Sequence, residues 1–557
     1  MPTGAVLAGL IMAGLMLLTA TALAQPFDAF ATPEFQVNTH VRADQRIPSI
    51  AGDAFGNTVI VWQSRNQDGP SWGIHGQRLD GRGHRLGPEF RINVFNQGAQ
   101  DGQHVQMLPD GRFVVAWNGP TRTTPRLQIQ MRRFAANGQP MAGDVLLSEP
   151  PDRPQILPRL GLLGDGAVIA SWDGSRVFGD TFDIVTRYFS AGDEALTPMI
   201  QTNQFDQTAQ RQSDLAVDAR GRHVVAWQSS GQDGQAWGVF ARCLEFRGGG
   251  GDEFLVNQTT QGSQARPRVA MADDGRFAIA WQDSRGQSSF AYQRVMVRLY
   301  AADCQPLTDE IQVNQFDEGI QDLPEISLDG DGVLIVVWQS FPPEFELQGI
   351  YGRRIGLDGG FLGDEFRISQ EIVAYQDFPV VQGLPDGGFM ATWETSGQDG
   401  SGFGIYARRF FGPGPARLEL RGGGGQAAAV GEVFPELLEV QVLDQWGAPQ
   451  AGRQVRFLAS ASGANALLGD SGLVFEGTSD AEGRVAVSAT AGHVPGQHAV
   501  RVEVPDTDLG VFIALQNLAG TPAFEPLPVP LGGWPLKLLL IGLLLVAVSL
   551  RFWRHGS

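Results

Sequence analysis

Apolar runs that alternate with polar turns recur along most of the chain, and a tryptophan closes one such run in each period. The runs include VIVW at 59–62 and VVAW at 224–227, and successive tryptophans are 54 to 57 residues apart. Because self-similarity at a fixed period is the mark of a repeat architecture, we predict seven structural units of one kind. The tryptophans are Trp62, Trp117, Trp172, Trp227, Trp281, Trp338 and Trp393.

Each unit contains four short segments with the composition of strands. In the first unit they are 47–52, 58–63, 73–79 and 90–93. Asp-Gly pairs between the first two segments of later units are a strong hairpin signal. The LDGDG stretch at 328–332 resembles a calcium loop, but it falls where the other units turn, so we predict a hairpin there. The pairs are Asp110-Gly111, Asp165-Gly166, Asp274-Gly275, Asp331-Gly332 and Asp386-Gly387.

Seven units of four strands without helical periodicity predict a seven-bladed β-propeller over residues 33–412. The chain enters this region with a fourth-strand motif, EFQVN at 34–38, and its last unit ends after a third strand, GIYARRF at 404–410. We therefore expect the first strand to complete the last blade, which leaves no open edge between them.

The flanking regions follow other patterns. Residues 1–24 have an apolar core that ends in Ala22-Leu23-Ala24, as in a signal peptide. Residues 415–520 alternate apolar and polar positions and predict a small β-sandwich. A Pro-rich linker at 521–533 precedes an apolar stretch at 534–552 that predicts a single transmembrane helix, and the basic tail at 553–557 is expected to be cytoplasmic. The remainder is then exported and lies at the cell surface or anchored to the membrane.

Charge and cysteine content narrow the class of protein. The net charge is −19 and the pI is near 4.8, which argues against a nucleic-acid partner because phosphate contacts need clustered Lys and Arg. The two cysteines, Cys243 and Cys304, form either a disulfide or two free buried thiols, and the sequence leaves both open.

Three resemblances extend this reading. The SGQDG, GIYGRR and GDEFLVN motifs, at 230–234, 349–354 and 251–257, resemble repeats of large bacterial surface and secreted proteins, which implies no defined activity. Residues 440–459 and 478–492 resemble the invasin/intimin-type Ig-like domain, which implies a stalk module. The end of the chain, from Val529-Pro530-Leu531 onward, resembles a sorting signal of the IPTL-CTERM kind and implies a sortase-like processing partner; a plain membrane anchor is the alternative.

The loop between the second and third strands supplies the candidate ligand-binding residues. Gln-Asp-Gly occurs there in units one, four and seven, and an aromatic residue follows shortly after. A turn, a sugar platform and a calcium site are all open, although one carboxylate per loop is few for Ca²⁺. Calcium is the one cofactor considered, and no metal site is assigned. The candidates are Asp68, Trp72, Asp233, Trp237, Asp399 and Phe403.

Three further residue types recur in register. A glutamine stands before each innermost strand, where a polar ring at the channel mouth could bind a ligand; the favoured alternative is that each amide satisfies backbone groups. The tryptophans are expected in the core. An arginine after each third strand is expected to pair with the acid before the fourth or to stack on an aromatic ring. The glutamines are Gln45, Gln100, Gln155, Gln210, Gln264, Gln321 and Gln376; the arginines are Arg78, Arg133, Arg187, Arg242, Arg298, Arg354 and Arg409; the acids are Glu34, Glu89, Asp144, Glu253, Glu310 and Glu365.

The order of the predicted domains, more than any motif, supports the hypotheses about function. The chain has 8 His and no HExxH, so no enzyme is predicted. The main hypothesis is an exported, membrane-anchored interaction or adhesion protein that displays the propeller on an Ig-like stalk and binds an extracellular protein or glycan. The alternative is a carbohydrate-binding surface module that uses Trp72, Trp237 and Phe403, and the second alternative is a secreted glycoside hydrolase-like enzyme.

Overall fold

Every secondary-structure element that the structure describes is a β-strand. The computed structural model describes residues 31–149, 154–174, 182–284, 292–341, 348–372, 374–412, 414, 417–444, 447–470, 472–505, 507 and 509–520. The predicted signal peptide at 1–24, the linker, the transmembrane stretch at 534–552 and the basic tail lie outside these residues. Within the described part of the chain, no helix is long and apolar enough to cross a membrane.

Seven four-stranded antiparallel sheets follow one another along the chain. Strands β2–β5 form the first blade: Gln45–Gly52, Thr58–Arg65, Trp72–Leu79 and Phe90–Arg91. Strands β6–β9 form the second: Asp101–Met107, Phe113–Gly119, Gln128–Phe134 and Val145–Leu146. Strands β10–β13 form the third: Gln155–Leu162, Val168–Gly174, Asp183–Phe189 and Ile200–Gln201. Strands β14–β17 form the fourth: Gln210–Val217, His223–Ser230, Trp237–Leu244 and Phe254–Leu255.

The remaining three blades repeat this order. Strands β18–β21 form the fifth: Gln264–Met271, Phe277–Asp283, Arg294–Tyr300 and Ile311–Gln312. Strands β22–β25 form the sixth: Ile320–Leu328, Leu334–Phe341, Gly349–Ile355 and Phe366–Arg367. The seventh consists of β26–β28 (Gln376–Gly383, Phe389–Ser396 and Phe403–Phe410), and β1 (Phe35–Gln36) is its fourth strand.

The chain closes into a ring as the sequence predicts. Strand β1 pairs antiparallel with β28, with Phe35 opposite Ala407, so the start of the chain completes the last blade. The first strand of each blade contacts the first strand of the next, including β26 with β2. The structure therefore confirms an all-β, seven-bladed propeller without an open edge between its first and last blades.

A smaller all-β unit follows the propeller and has its own apolar core. Its sheets are β29-β31-β35, β30-β38-β37-β32-β34 and β33-β36, and β30 runs parallel to β38. Val440, Val455, Phe457 and Val500 are fully buried between the sheets. The strands are β29 Arg417–Gly422, β30 Gln426–Ala429, β31 Leu438–Leu443, β32 Gln454–Leu458, β33 Ala466–Leu468, β34 Val474–Thr478, β35 Arg484–Val487, β36 Ala489–Ala491, β37 Gly496–Glu503 and β38 Gly510–Leu518.

The seven tryptophans and seven glutamines lie in the core. Each tryptophan is at most 1% exposed and each glutamine at most 4%. The indole Nε1 of Trp117 donates to Gln100 Oε1 at 2.9 Å, and in other blades an asparagine amide donates to the glutamine, as Asn38 does to Gln45 at 3.1 Å. The glutamines are therefore structural. The alternative of a ligand-binding ring at the channel mouth is wrong, because the surrounding protein covers their side chains.

A polar side chain from each fourth-strand segment fixes the third strand beside it. Asn93 Oδ1 accepts the backbone N–H of Ile74 at 2.8 Å, and Asn257 Oδ1 accepts that of Val239 at 2.7 Å. The same bond recurs in every blade, with serine replacing asparagine at 148 and 369. The fourth strand is only two residues long and forms few backbone hydrogen bonds with the third strand. The side-chain bond therefore adds to the attachment between these two strands.

The repeated acids hold neighbouring blades together instead of pairing with arginine. Glu253 accepts the backbone N–H of Gln204 at 2.6 Å, and Glu34 accepts that of Gln370 at 2.7 Å. The other acids make the equivalent bond to the preceding blade. The predicted Arg–acid pairing is therefore wrong.

Arginines bridge the same boundary through carbonyl oxygens. Arg242 donates to Gly251 O at 2.7 Å within its own blade and to Thr202 O at 2.9 Å in the blade before it. Arg187 and Arg298 do the same, but in three other blades the bridge is made by the residue one position earlier than predicted. These are Arg132, Arg353 and Arg408.

Cys243 and Cys304 form a disulfide, which is one of the two alternatives that the sequence left open. Cys243 lies on β16 of blade four, and Cys304 lies in the turn that follows β20 of blade five. The disulfide is therefore a covalent link between adjacent blades, across 61 residues of sequence.

We expect reduction of this disulfide to lower the free energy of unfolding. Removing a link across a loop of this length costs roughly 2–4 kcal/mol, because the unfolded chain regains conformational freedom. Thermal unfolding with and without a phosphine reductant measures the change. The double variant Cys243→Ser/Cys304→Ser is the control and should not respond to reductant. An unchanged melting temperature in the reduced wild-type protein would contradict the expectation.

Candidate functional site

A bulge near the start of each innermost strand places seven unusual backbone positions around the central channel. The register of the first and second strands breaks there in every blade, for example between Arg46 and Ser49. One residue in each bulge has a positive φ of 50° to 63°, and in six blades it is not glycine, which is a strained choice. These residues are Ile47, Gly102, Leu157, Gln212, Arg266, Leu323 and Phe378.

The residue after the core tryptophan of one blade supports the bulge of the next. Glu394 accepts the N–H of Ile47 at 2.7 Å, and Asn118 accepts that of Leu157 at 3.1 Å. Asp173, Gln228 and Gln282 make the equivalent bonds. In these five blades, the polar residue that follows the core tryptophan holds the backbone of the next bulge at the channel mouth.

A cavity of about 780 Å³ opens among the innermost strands of all seven blades. Its charged lining is paired, since Arg159 contacts Asp214 at 3.1 Å and Arg268 contacts Glu325. The bulges lie on the same side of the propeller as the loops between second and third strands. The face that carries these loops, the bulges and the opening of the cavity is called the mouth face below.

Aromatic side chains recur on the mouth face, at or just before the start of the third strand. They occupy one register in four blades, and a leucine and two glutamines stand there in the other three. The series is Trp72, Leu127, Phe182, Trp237, Gln293, Gln348 and Phe403, and its four rings are partly exposed. In blade five an aromatic residue stands one position earlier, Tyr292, which is 47% exposed. The sequence singled out three of them through the QDG motif and missed Phe182 and Tyr292, whose loops lack it.

The next blade determines how far each ring is covered. The Arg46 guanidinium lies 4.2 Å from the centroid of Phe403, and that of Arg211 lies 4.5 Å from the centroid of Phe182. Both arginines directly precede the bulge residue. At that position in blade five stands Ala265, whose side chain is too short to cover Trp237. Stacking by a ligand on Trp237 therefore competes with no such arginine, and the same holds for Trp72, because Asp101 stands at that position in blade two.

The QDG loops owe their sequence to packing. Asp68, Asp233 and Asp399 each lie against the glycine that follows the aromatic residue. A Cβ on Gly238 would come within 2.6 Å of Asp233 Oδ2, and one on Gly73 within 2.3 Å of Asp68 Oδ1. The loop glutamine donates to the acid of its own blade, as Gln232 does to Glu253 at 2.7 Å. The motif is therefore a structural turn in each of its blades.

The three aspartates are also occupied locally. Asp68 pairs with Arg91 at 2.7 Å, Asp233 accepts the N–H of Gln235 at 3.1 Å, and Asp399 accepts that of Ser401 at 3.0 Å. Within the described residues no group of three or more His, Cys, Asp or Glu side chains is arranged to hold a metal ion. In the LDGDG stretch, Asp329 Oδ1 accepts the N–H groups of Asp331 and Val333, so the hairpin prediction is confirmed.

A cluster of carboxyl groups lies on the mouth face where blades six, seven and one meet. Asp322 and Asp377 directly precede the bulge residues of blades six and seven, and Glu394 follows the tryptophan of blade seven. The pKa of Asp322 is raised to about 6. Burial is the main cause and the charge of Asp377 acts in the same direction, while the hydrogen bond from Gln339 and the charge of Arg266 act to lower the pKa. Burial also raises the pKa of Asp377 and of Glu394.

Aromatic rings and an arginine border this cluster. Arg46 binds Glu394 at 2.5 Å and lies over Phe403. Tyr375, which is 43% exposed, contacts Phe403 edge-on with centroids 6.5 Å apart, and its other neighbour is Phe341 at 5.4 Å. Burial and the charges of the carboxyl cluster raise the pKa of the Tyr375 hydroxyl. The cluster thus combines apolar ring faces with carboxyl groups whose pKa values are raised by burial.

The sequence held one signal for this cluster. The position after the repeated glutamine is variable, with Arg46, Asp101, Ile156, Arg211 and Ala265 in the first five units. Variation at a fixed register marks positions that the repeat itself does not require. Asp322, Asp377 and Glu394 stand at such variable positions, so the recurrent motifs did not point to them.

No protein-family model matches the chain, and no curated protein matches it. Its fold is similar to that of a fungal alcohol oxidase of the AA5 family, at 9% identity and a TM-score of 0.43, over 87% of this chain and 100% of the other. It is also similar to the α-L-arabinofuranosidase Arb93A from Fusarium graminearum, at 10% identity and a TM-score of 0.41, over 68% and 98%. The NanB sialidase from Streptococcus pneumoniae is similar at 10% identity and a TM-score of 0.39, over 70% of each chain.

These comparisons correct two predictions from the sequence. The expectation that the chain is not an enzyme and the main hypothesis of a surface adhesion protein are not kept: the solved structures of similar fold include an arabinofuranosidase, an arabinanase, a polysaccharide lyase and a sialidase. At these similarities, no residue role and no substrate is carried over to this chain.

We expect Asp173→Asn to stabilise the protein at pH 8 but not at pH 4.5. Burial raises the pKa of Asp173 from its ordinary value of 3.8 to about 6. Between these two pH values the native state therefore keeps a proton that the unfolded chain has lost. Stability therefore falls as the pH rises through this window, by on the order of 1–3 kcal/mol above pH 6. Asn118 makes the equivalent bond without charge.

Thermal unfolding of both proteins at the two pH values measures this difference. Asp165→Asn, on an exposed hairpin of the same blade, is the matched control and should leave the melting temperature unchanged at either pH. An Asp173→Asn effect of equal size at both pH values would show that the charge is not the cause.

Proposed function

We propose that this protein binds carbohydrate on the mouth face of the propeller, with Trp237 as a principal stacking platform. The observation that carries the proposal is the series of partly exposed aromatic side chains that stand at one register in four of seven blades, on the face where the strands that line the cavity begin. Sugar rings present apolar C–H faces and polar edges, and aromatic faces bordered by polar groups suit both.

The aromatic series is not needed by the fold. The buried tryptophans already fill the space between blades, and Leu127, Gln293 and Gln348 occupy the register in the three remaining blades without loss of the four-stranded sheet. An exposed ring that the repeat does not require is better explained by a ligand. The surrounding side chains include Arg211, Arg266 and Asp101, which offer donors and acceptors to hydroxyl groups.

We further propose that the ligand is met outside the cytoplasm. The support is the sequence alone: a signal-peptide pattern at 1–24 and a basic-flanked apolar stretch at 534–552, retained as an anchor or processed by a sortase-like enzyme. The unit over 415–520 is proposed to be an invasin-type Ig-like domain, on the residues that resemble that family and on its antiparallel sheets around one core.

We expect Trp237→Ala to weaken carbohydrate binding about five- to thirtyfold. Loss of one stacking ring removes apolar contact worth roughly 1–2 kcal/mol at the site. A glycan array with the full chain identifies a bound carbohydrate, and isothermal titration calorimetry with that carbohydrate compares the variant with the wild-type protein.

Phe55→Ala is the matched control, because Phe55 is 78% exposed on a hairpin of the opposite face. This variant should bind like the wild-type protein. Absence of any glycan above background on the array, or equal affinity of Trp237→Ala and wild type, would refute the proposed platform.

A further inference from the structure

One of the seven bulges on the mouth face carries a charged side chain. The bulge residue of blade five is Arg266, whereas the other six are apolar or uncharged. Gln212 holds the same backbone conformation in blade four, with a φ of 54° against 55° for Arg266. The bulge itself therefore needs no charge, and the guanidinium of Arg266 is a departure of one blade from the repeat.

The side chain of Arg266 lines the central cavity without a bonded partner. It is only partly exposed, and within the described residues it makes no hydrogen bond and no ion pair. The two other arginines that line the cavity are paired, Arg159 with Asp214 and Arg268 with Glu325. A cation that is partly removed from water without a partner is unfavourable, and a bound anion would supply the missing interaction.

The charged groups around Arg266 do not replace such an anion. Burial lowers the pKa of Arg266, and the charge of Arg268 acts in the same direction, while Asp322 and Asp377 act to raise it. These two carboxyl groups belong to blades six and seven, and burial raises the pKa of both. They are therefore protonated over a wider pH range than ordinary aspartates and are weak counter-ions for the guanidinium.

The ring of Trp237 belongs to the same blade boundary as Arg266. The backbone of Trp237 forms a bridge with Ser263 of blade five, and the N–H of Arg266 donates to Gln228 Oε1 of blade four at 3.0 Å. Arg266 follows Ser263 by three residues, which span at most roughly 11 Å. Leu127, which occupies the register of Trp237 in blade two, itself lines the cavity. A carbohydrate that stacks on Trp237 therefore lies within reach of Arg266.

We propose that the carbohydrate bound on the mouth face carries an anionic group, a carboxylate or a sulfate, and that Arg266 binds this group at the cavity. This inference rests on the proposed carbohydrate binding and narrows its ligand to acidic polysaccharides. The planar guanidinium donates two parallel N–H bonds to two oxygens of one carboxylate or sulfate. Trp237 supplies the apolar face for the sugar ring, and Arg266 selects the acidic substituent.

The test compares acidic polysaccharides with uncharged counterparts by isothermal titration calorimetry on the full-length protein. Polygalacturonate and its methyl ester differ in the carboxylate, and dextran sulfate and dextran differ in the sulfate. We expect at least one acidic polymer to bind about tenfold or more tightly than its uncharged counterpart. The pair that shows this preference distinguishes a carboxylate ligand from a sulfated one.

Arg266→Gln removes the charge and keeps a side chain that this bulge conformation accepts, as Gln212 demonstrates. It should lower the affinity for the preferred acidic polymer by about tenfold and leave the affinity for the uncharged counterpart within about twofold. Arg266→Lys keeps the charge and should retain the preference for the acidic polymer.

Arg276→Gln is the matched control, because it removes the same charge from an exposed hairpin on the opposite face of blade five. It should bind every polymer like the wild-type protein, and the melting temperature of each variant checks that the propeller is intact. Equal or weaker binding of the acidic polymers, or a preference that survives in Arg266→Gln, overturns the inference and leaves the carbohydrate-binding proposal standing. Absence of binding to every polymer and to the glycan array overturns both.

Discussion

The propeller depends on hydrogen bonds from side chains to backbone at the boundary between neighbouring strands and blades. Each fourth strand contains only two residues, so ladder bonds alone satisfy little of its backbone. Asparagine or serine ties the third strand to this segment, the repeated acid binds backbone N–H groups of the preceding blade, and an arginine bridges carbonyl oxygens of both blades. The repeat is therefore a set of polar ties around a tryptophan core, which explains why these residue types recur at fixed spacing.

The same kind of tie prepares the mouth face for a ligand. A side chain from one blade holds the N–H of the bulge in the next, and it keeps a residue such as Ile47 at a φ that β-branched side chains avoid. The bulge directs the residue before it, for example Arg46 or Asp377, toward the rim. Because the backbone is fixed by groups that recur, the rim residues are free to differ between blades.

The QDG motif and the carboxyl cluster show how recurrence misleads in a repeat protein. Asp233 stands in a motif found in three units, but its side chain packs on Gly238 within the loop. Asp322 and Asp377 stand at a position without a motif, but they share a polar environment and an aromatic border. Recurrent residues report on the demands of the unit, whereas a single site on a ring arises from departures between units. A search for repeated motifs therefore passes over such departures.

The sequence alone was sufficient for the number of blades, the four strands of each, the Asp-Gly hairpins, the tryptophan core and the closure by the first strand. These features follow from local periodicity and from spacing, which are visible along the chain. The tertiary structure decided which residues of different blades meet, such as Asn118 with Leu157 or Arg46 with Phe403. Those contacts join residues about 40 to more than 350 positions apart, and they depend on left-handed bulges in non-glycine residues that no local pattern announces. The ring brings them together, so the rim and its charges are properties of the closed propeller.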